Sequence, residues 1–180
     1  MAPTALTAPA SRALRELGLA GLLGGNLFGR FALHPAVAEI SSKAERGKVV
    51  NAAWRRYGNV NSASLAALTA GWLTARLGDV PEPRGLARAE DALIATVFAL
   101  GAASAAEGVR FARLAPGGAV PLEDGSHPAP ETPDAAARAK RRLNALGAAS
   151  VAAELALVGV DAALAQSGRR RPLSRRLRRR

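Results

Sequence analysis

The sequence predicts an all-α chain: a four-helix transmembrane bundle with a Pro/Gly-rich loop between its third and fourth helices. Three observations carry that expectation. Four long windows are low in charge, and one of them, 57–75, holds no charge across 19 residues; an apolar, uncharged run of about 18 or more is long enough to cross a hydrocarbon core. Basic residues flank several of these windows, and Trp54, Tyr57 and Trp72 stand where headgroup-level anchors would. No alternation of period two is sustained anywhere, so no strand is expected.

Composition narrows the chemistry. The 180 residues fit one domain with a single core. There is no cysteine, which excludes disulfides, zinc–thiolate sites and thiol nucleophiles. His34 and His127 are the two histidines and lie far apart, so neither a metal site nor a cofactor is expected. The net charge is +11, but eight tail arginines supply most of it and leave +3 for residues 1–168.

The elements follow in order. Residues 1–12 read as a flexible start, and the first helix is expected at 13–38. Its low-charge stretch, 17–38, contains Arg30 alone among charged residues. Ala36-Val37-Ala38 resembles a signal-peptidase site, but the long leading segment and the internal Arg30 argue against cleavage. Ser42-Lys43-Ala44-Glu45 fits a capping box and starts a second helix at 43–77. A Gly78-Asp79 and Pro81-Glu82-Pro83 turn leads to a third helix at 86–113, whose window 92–106 is uncharged. Residues 115–131 are rich in Pro and Gly and read as a disordered, solvated loop. Thr132-Pro133-Asp134 supplies an N-cap with Pro at the first helical position, opening a fourth helix at 133–167. Residues 169–180 form the basic tail.

The candidate site residues fall into four groups. Gly21, Gly25 and Gly29 recur every fourth position, a strip against which another helix can pack closely. Asn26, Arg30 and His34 recur with the same spacing on an adjacent face, over an arc of about 80° for a regular helix. An arginine at mid-membrane costs about 3 kcal/mol on insertion scales and should seek an acid. Glu154 and Asp161 on the fourth helix share one face, so Arg30 is expected to pair with one of them, with Asn26, His34 and Asn61 lining the same polar cluster. Against this stand a soluble bundle, in which these faces meet water, and an Arg30 that snorkels outward. Trp54, Tyr57 and Trp72 are the interfacial anchors. Arg169, Arg170, Arg171, Arg175, Arg176, Arg178, Arg179 and Arg180 are the expected contacts to anionic headgroups. No nucleotide-binding, HExxH or Ser-His-Asp pattern stands in a recognisable context, so no catalytic residue is assigned.

The segments GLLGGNLFGRFALHPA, ERGKVVNAAWRRYGNVNS and GWLTAR, all within 21–76, resemble uncharacterised small integral membrane proteins of bacteria. The layout, through Gly25, His34, Pro35, Trp54, Asn59 and Asn61, is similar to the anthrone-oxygenase-like family of four-helix membrane proteins. That resemblance implies a membrane bundle and, as one alternative, cofactor-free oxygenase chemistry; the long Pro-rich loop and the arginine tail depart from the family, and no catalytic residue is carried over.

The expectation is therefore a small integral membrane protein of no assigned reaction, with a buried polar cluster between its first and fourth helices. Two alternatives stand beside it: an enzyme, such as a membrane oxygenase, acting on a hydrophobic small molecule, or a soluble helical adaptor binding nucleic acid through its tail. Membrane lipid is the expected partner, a second copy of the chain is a further candidate, and nucleic acid is not favoured because no aromatics interleave with the tail arginines. The expected location is the cell membrane, multi-pass, with both termini cytoplasmic because the tail tips the count of basic residues.

Overall fold

The computed structural model describes residues 4–77 and 83–169. The tail from Arg170 onward, the side chain of Arg169 and the expected 78–82 turn lie outside the described residues.

Among the described residues the chain is helical, without strands. Four long helices run α1 (Thr4–Phe28), α2 (Lys43–Leu77), α3 (Arg84–Arg113) and α4 (Asp134–Arg169). The loose start expected at 1–12 is instead helical from Thr4, and Ser11 and Arg15 are buried where the α2 backbone comes close at Gly71. Between α1 and α2 the chain passes through a π turn (Gly29–Leu33), a helical turn (His34–Ala36) and a 3-10 turn (Val37–Glu39). Ser42 caps α2, its hydroxyl accepting the Glu45 backbone N–H at 3.3 Å.

Side-chain contacts give the directions. Gly18 meets Leu68, Gly25 meets Tyr57 and Gly29 meets Trp54, so α1 and α2 are antiparallel. Arg15 meets Asp161 and Asn26 meets Glu154, so α1 and α4 are antiparallel as well. α3 packs on α4, completing an up-down-up-down arrangement.

The glycines of α1 let α2 approach it closely. A Cβ on Gly18 would stand 2.5 Å from the Leu68 nitrogen and the Ser64 carbonyl oxygen of α2. Side-chain atoms of Ser64, Tyr57 and Trp54 fill the spaces that Cβ atoms would need at Gly21, Gly25 and Gly29. The Tyr57 hydroxyl crosses this seam and donates to the Gly21 carbonyl at 2.6 Å.

The core has two parts. Leu19, Leu22, Leu68, Ile94, Val97, Ala153 and Leu157 form one inside the bundle. Val37, Val50, Phe111, Val120, Leu122, Ala136 and Ala139 form the other, under the 115–131 loop.

That loop corrects the expectation of disorder. Val120 and Leu122 are wholly buried, and the backbone is tied down by Leu122 N–H to the Lys43 carbonyl at 3.1 Å and Gly125 N–H to the His34 carbonyl at 2.8 Å. The Asn51 amide donates to the Gly118 carbonyl at 2.8 Å, and Arg46 donates to the carbonyls of Ile40, Leu122 and Glu123. Pro and Gly here make turns of a packed cap, with Gly117 and Gly118 at positive φ (60° and 75°). Thr132 does not cap α4; its hydroxyl donates to the Pro121 carbonyl, holding the loop to the start of that helix.

Candidate functional site: a charge network and a polar seam

At the end of the bundle where α1 and α3 begin, all four helices meet through charge. Arg15 of α1 is 5 % exposed and pairs with Glu90 of α3, which is 0 % exposed. The other Arg15 nitrogen stands 3.3 Å from Asp161 of α4. Arg76 of α2 reaches the second Glu90 oxygen at 2.8 Å and Asp91 at 2.7 Å, and donates to the Ala87 carbonyl at 2.9 Å. Trp72 adds its indole N–H to Asp91 at 2.8 Å. A charge removed from water costs several kcal/mol unless it is paired and hydrogen-bonded. Here Glu90 spends both oxygens on guanidiniums from two different helices.

This network is not among the sequence expectations, because Arg15, Arg76 and Asp91 stand at the ends of low-charge windows, where flanking charges ordinarily meet solvent or headgroups. The signal was present. Glu90 lies four and seven residues before Ile94 and Val97, the core phase of α3, and Arg15 lies four and seven before Leu19 and Leu22 on α1.

The expected cluster is divided. The Asn26 amide donates to Glu154 at 2.8 Å, and Glu154 is 2 % exposed, its second oxygen buried with no hydrogen-bond partner. Asp161 belongs to the charge network. Asn61 is half-buried, and its carbonyl oxygen also has no hydrogen-bond partner. Arg30 is not part of the cluster: it is exposed, and no ion pair joins it to Glu154 or Asp161 among the described residues. Arg30 lies in the π turn Gly29–Leu33 that ends α1. Beyond that turn the antiparallel register decides: Asn26 already stands level with Glu154 and Arg15 with Asp161, so Arg30 lies a turn past the first acid and about 22 Å of helix rise from the second.

His34 lies beyond Arg30, under the loop cap. The Trp54 indole N–H points at His34 Nε2 at 3.2 Å, and His34 Nδ1 stands 3.1 Å from the Ser126 hydroxyl. An indole nitrogen can only donate, so Nε2 is the acceptor and the ring proton resides on Nδ1. The imidazole is pushed down to about 4, chiefly by burial, with the charge on Lys140 adding to the lowering, Asp124 opposing it and Arg30 adding a smaller lowering. His34 is thus a neutral, structural ring at neutral pH. On the same cap, burial would raise the Asp124 carboxyl, but hydrogen bonds from His127 and the Ser126 and His127 backbone hold it below the usual range.

Trp54, Tyr57 and Trp72 are half-buried against His34, the α1 glycines and Asp91 respectively. A surface groove between α1 and α2, lined by Leu17, Gly18, Asn59, Val60, Ala63, Ser64 and Ala67, contains none of Asn26, Arg30 or His34. No group of three or more metal-ligating side chains occurs among the described residues. No family model, no curated protein and no solved structure matches this chain. Function must therefore be read from the residues.

Alongside its apolar core, this bundle buries charge and leaves large apolar side chains outside. Arg15, Glu90, Glu154 and Asp161 are buried, whereas Leu17, Leu73, Phe98, Leu155 and Val158 are exposed. α3 and α4 are each long and apolar enough to cross a membrane, and only 11 % and 28 % of their most apolar 18-residue windows are buried inside the bundle.

Proposed function

We propose that the chain is a small multi-pass integral membrane protein, a four-helix bundle whose apolar faces meet lipid and whose ionisable groups are gathered inside. The observation that supports it best is the placement of charge along the helices. Charge is absent from 17–29 on α1, 57–75 on α2 and 92–106 on α3, and the two acids within 143–167 on α4, Glu154 and Asp161, are both buried. The shortest of these runs covers about 20 Å at 1.5 Å per residue, and snorkelling arginines at its ends extend that reach toward a core of about 30 Å.

In this reading Trp54, Tyr57 and Trp72 lie near the two lipid surfaces, and four crossings bring both termini to one side. The tail arginines from Arg169 onward would hold that side to anionic headgroups, with the termini cytoplasmic. The charge network joins the helices, replacing the hydrophobic drive that lipid removes. The oxygenase alternative needs one cavity touching Asn26, Arg30 and His34, and an outward Arg30 does not favour it.

Alkaline carbonate extraction of cells expressing the chain tests the proposal. Retention in the membrane pellet is expected. Release into the carbonate supernatant, or a monodisperse protein in detergent-free buffer, would remove it.

A further inference from the structure

We propose that Lys140 is a nucleophilic amine that binds a small apolar aldehyde or ketone as an imine. The site lies under the 115–131 cap, before the 143–167 run of α4, so it does not depend on what surrounds the helices.

The chain has three lysines, Lys43, Lys48 and Lys140, and the first and last are opposites. Lys43 is partly exposed and lies 2.6 Å from Glu123 and 3.4 Å from Glu131. Those contacts, the Glu123 hydrogen bond first, hold its amine above the ordinary lysine range. Lys140 is 3 % exposed and makes no hydrogen bond or ion pair among the described residues. Its Nζ stands 5.9 Å from the centre of the Phe111 ring. Phe111, and Ala136 one turn before Lys140 on α4, belong to the apolar cluster beneath the cap.

A buried ammonium is ordinarily joined to a carboxylate. The carboxylate that faces this one, Asp124, spends its oxygens on the Ser126 and His127 backbone N–H groups and the His127 ring. His34, the other ionisable group facing it, is a neutral ring, and Arg138, Arg141 and Arg142 beside it on α4 are exposed. The amine is pushed down from 10.5 to about 8 by burial, with Asp124 opposing. Desolvation of this kind makes a lysine nucleophilic near neutral pH. An amine titrating near 8 is about one-quarter uncharged at about pH 7.5, against about one part in a thousand for an ordinary lysine.

Charge chooses the electrophile. The unprotonated Nζ adds to a carbonyl carbon, a proton passes from nitrogen to the carbonyl oxygen, and that oxygen leaves as water to give C=N. The product has no charge and no N–H, so an apolar cluster can enclose it without an unmet donor. An acyl group would leave an amide N–H and C=O to satisfy there, and carbon dioxide would set a new anion against Asp124. The group on the carbonyl must be small and apolar to lie beside Phe111. It enters when the cap opens locally, which costs less than global unfolding.

Reductive trapping on the purified full chain tests this. Acetaldehyde is applied from about pH 6 to 10 with cyanoborohydride, which reduces the imine to a stable secondary amine, and peptide mass spectrometry reads each lysine. Rates are divided by that of Nα-acetyl-lysine in the same sample, which cancels the reductant's own pH dependence. Near neutral pH Lys140 should be alkylated at least about tenfold faster than Lys43, although it is the more buried. Its relative rate should be flat below about pH 8 and fall above it. In denaturant the two lysines should react alike. Glyoxylate, equally small but anionic, should lose the preference for Lys140. The comparison is made within the wild-type chain, so no variant has to fold. Lys140 left unmodified while Lys43 and Lys48 react overturns the site. So does a relative rate that stays constant across the whole pH range, or a preference that survives denaturation. Glyoxylate labelling Lys140 as fast as acetaldehyde overturns the apolar class of ligand.

Discussion

The two ends of the bundle solve the same problem by opposite means. Where α1 and α3 begin, the helices are joined by long charged side chains, Arg15, Glu90, Arg76 and Asp161. Where they end, they are joined by a 115–131 cap whose Val120 and Leu122 are buried and whose backbone is hydrogen-bonded to α2 and His34. A charge network depends on every member, since deleting one strands the others in a low-dielectric interior. A cap built from many backbone bonds and apolar contacts should yield gradually. The ends should therefore fail differently.

The largest effect is expected at Glu90. Glu90→Ala leaves Arg15 and Arg76 without their shared partner and should cost about 3–5 kcal/mol, read by chemical unfolding in detergent or by loss of accumulated protein. A cost below about 1 kcal/mol would place this end no higher than an exposed ion pair.

A matched pair of glycines sharpens the contrast. A Cβ at Gly71 would stand 2.7 Å from the Arg15 nitrogen and also meet the Ser11 carbonyl, and one at Gly47 would stand 2.9 Å from the Val120 nitrogen and also meet its carbonyl. Gly71→Ala must push two helices apart and should lower global stability by about 1–3 kcal/mol. Gly47→Ala pushes against a loop, so it should speed protease cleavage within 115–131 while moving the global midpoint less. Equal effects on both readouts would erase the distinction between the ends.

Acid should loosen the cap selectively. His34 titrates near 4 in the folded chain against 6.5 unfolded, so between those values the unfolded state binds more protons. The stability it contributes is present above pH 6.5 and is lost as pH falls toward 4. Protonating Nε2 also removes the acceptor for the Trp54 indole. Trp54 fluorescence, isolated by Trp72→Phe, should change with a midpoint near pH 4, where the folded ring takes up its proton, and His34→Phe should abolish the change. Asp124, held low by its hydrogen bonds, should contribute a second loss only below about pH 3.8, its ordinary value.

The smallest effect is expected at Arg30. It is exposed, so Arg30→Gln should shift stability by no more than about 0.5 kcal/mol. A large loss, rescued by recharging Glu154 or Asp161, would restore the pairing that the sequence suggests.

Much of the helical frame was legible in the sequence because it depends on local signals. The capping box at Ser42 and the uncharged 57–75 run locate α2 at the bounds observed, Lys43–Leu77. What stayed hidden depends on three-dimensional phase. Arg30 lies a turn past the level at which Asn26 meets Glu154, and the register between α1 and α4 is written in neither helix alone. The cap looked solvated because Pro and Gly mark turns whether a loop packs or not; Val120 and Leu122 were its few apolar signs. The charge network needed residues from four separate helices, and Arg15 resembles any flanking arginine until its spacing to Leu19 and Leu22 is weighed.

The chain contains no cysteine, so single cysteines can report the solvent around each face without a background signal. Placed at Phe98 on α3 and Val158 on α4, both exposed on the outer surface, they should resist a membrane-impermeant maleimide in intact membranes and react once the protein is denatured. A cysteine at Glu131 in the cap, whose side chain is 52 % exposed, marks the rate in water when the reagent is admitted to both sides of the membrane. Protection of 98 and 158 relative to 131 is the outcome expected of a bundle with lipid outside and charge within; labelling of all three at one rate would contradict it.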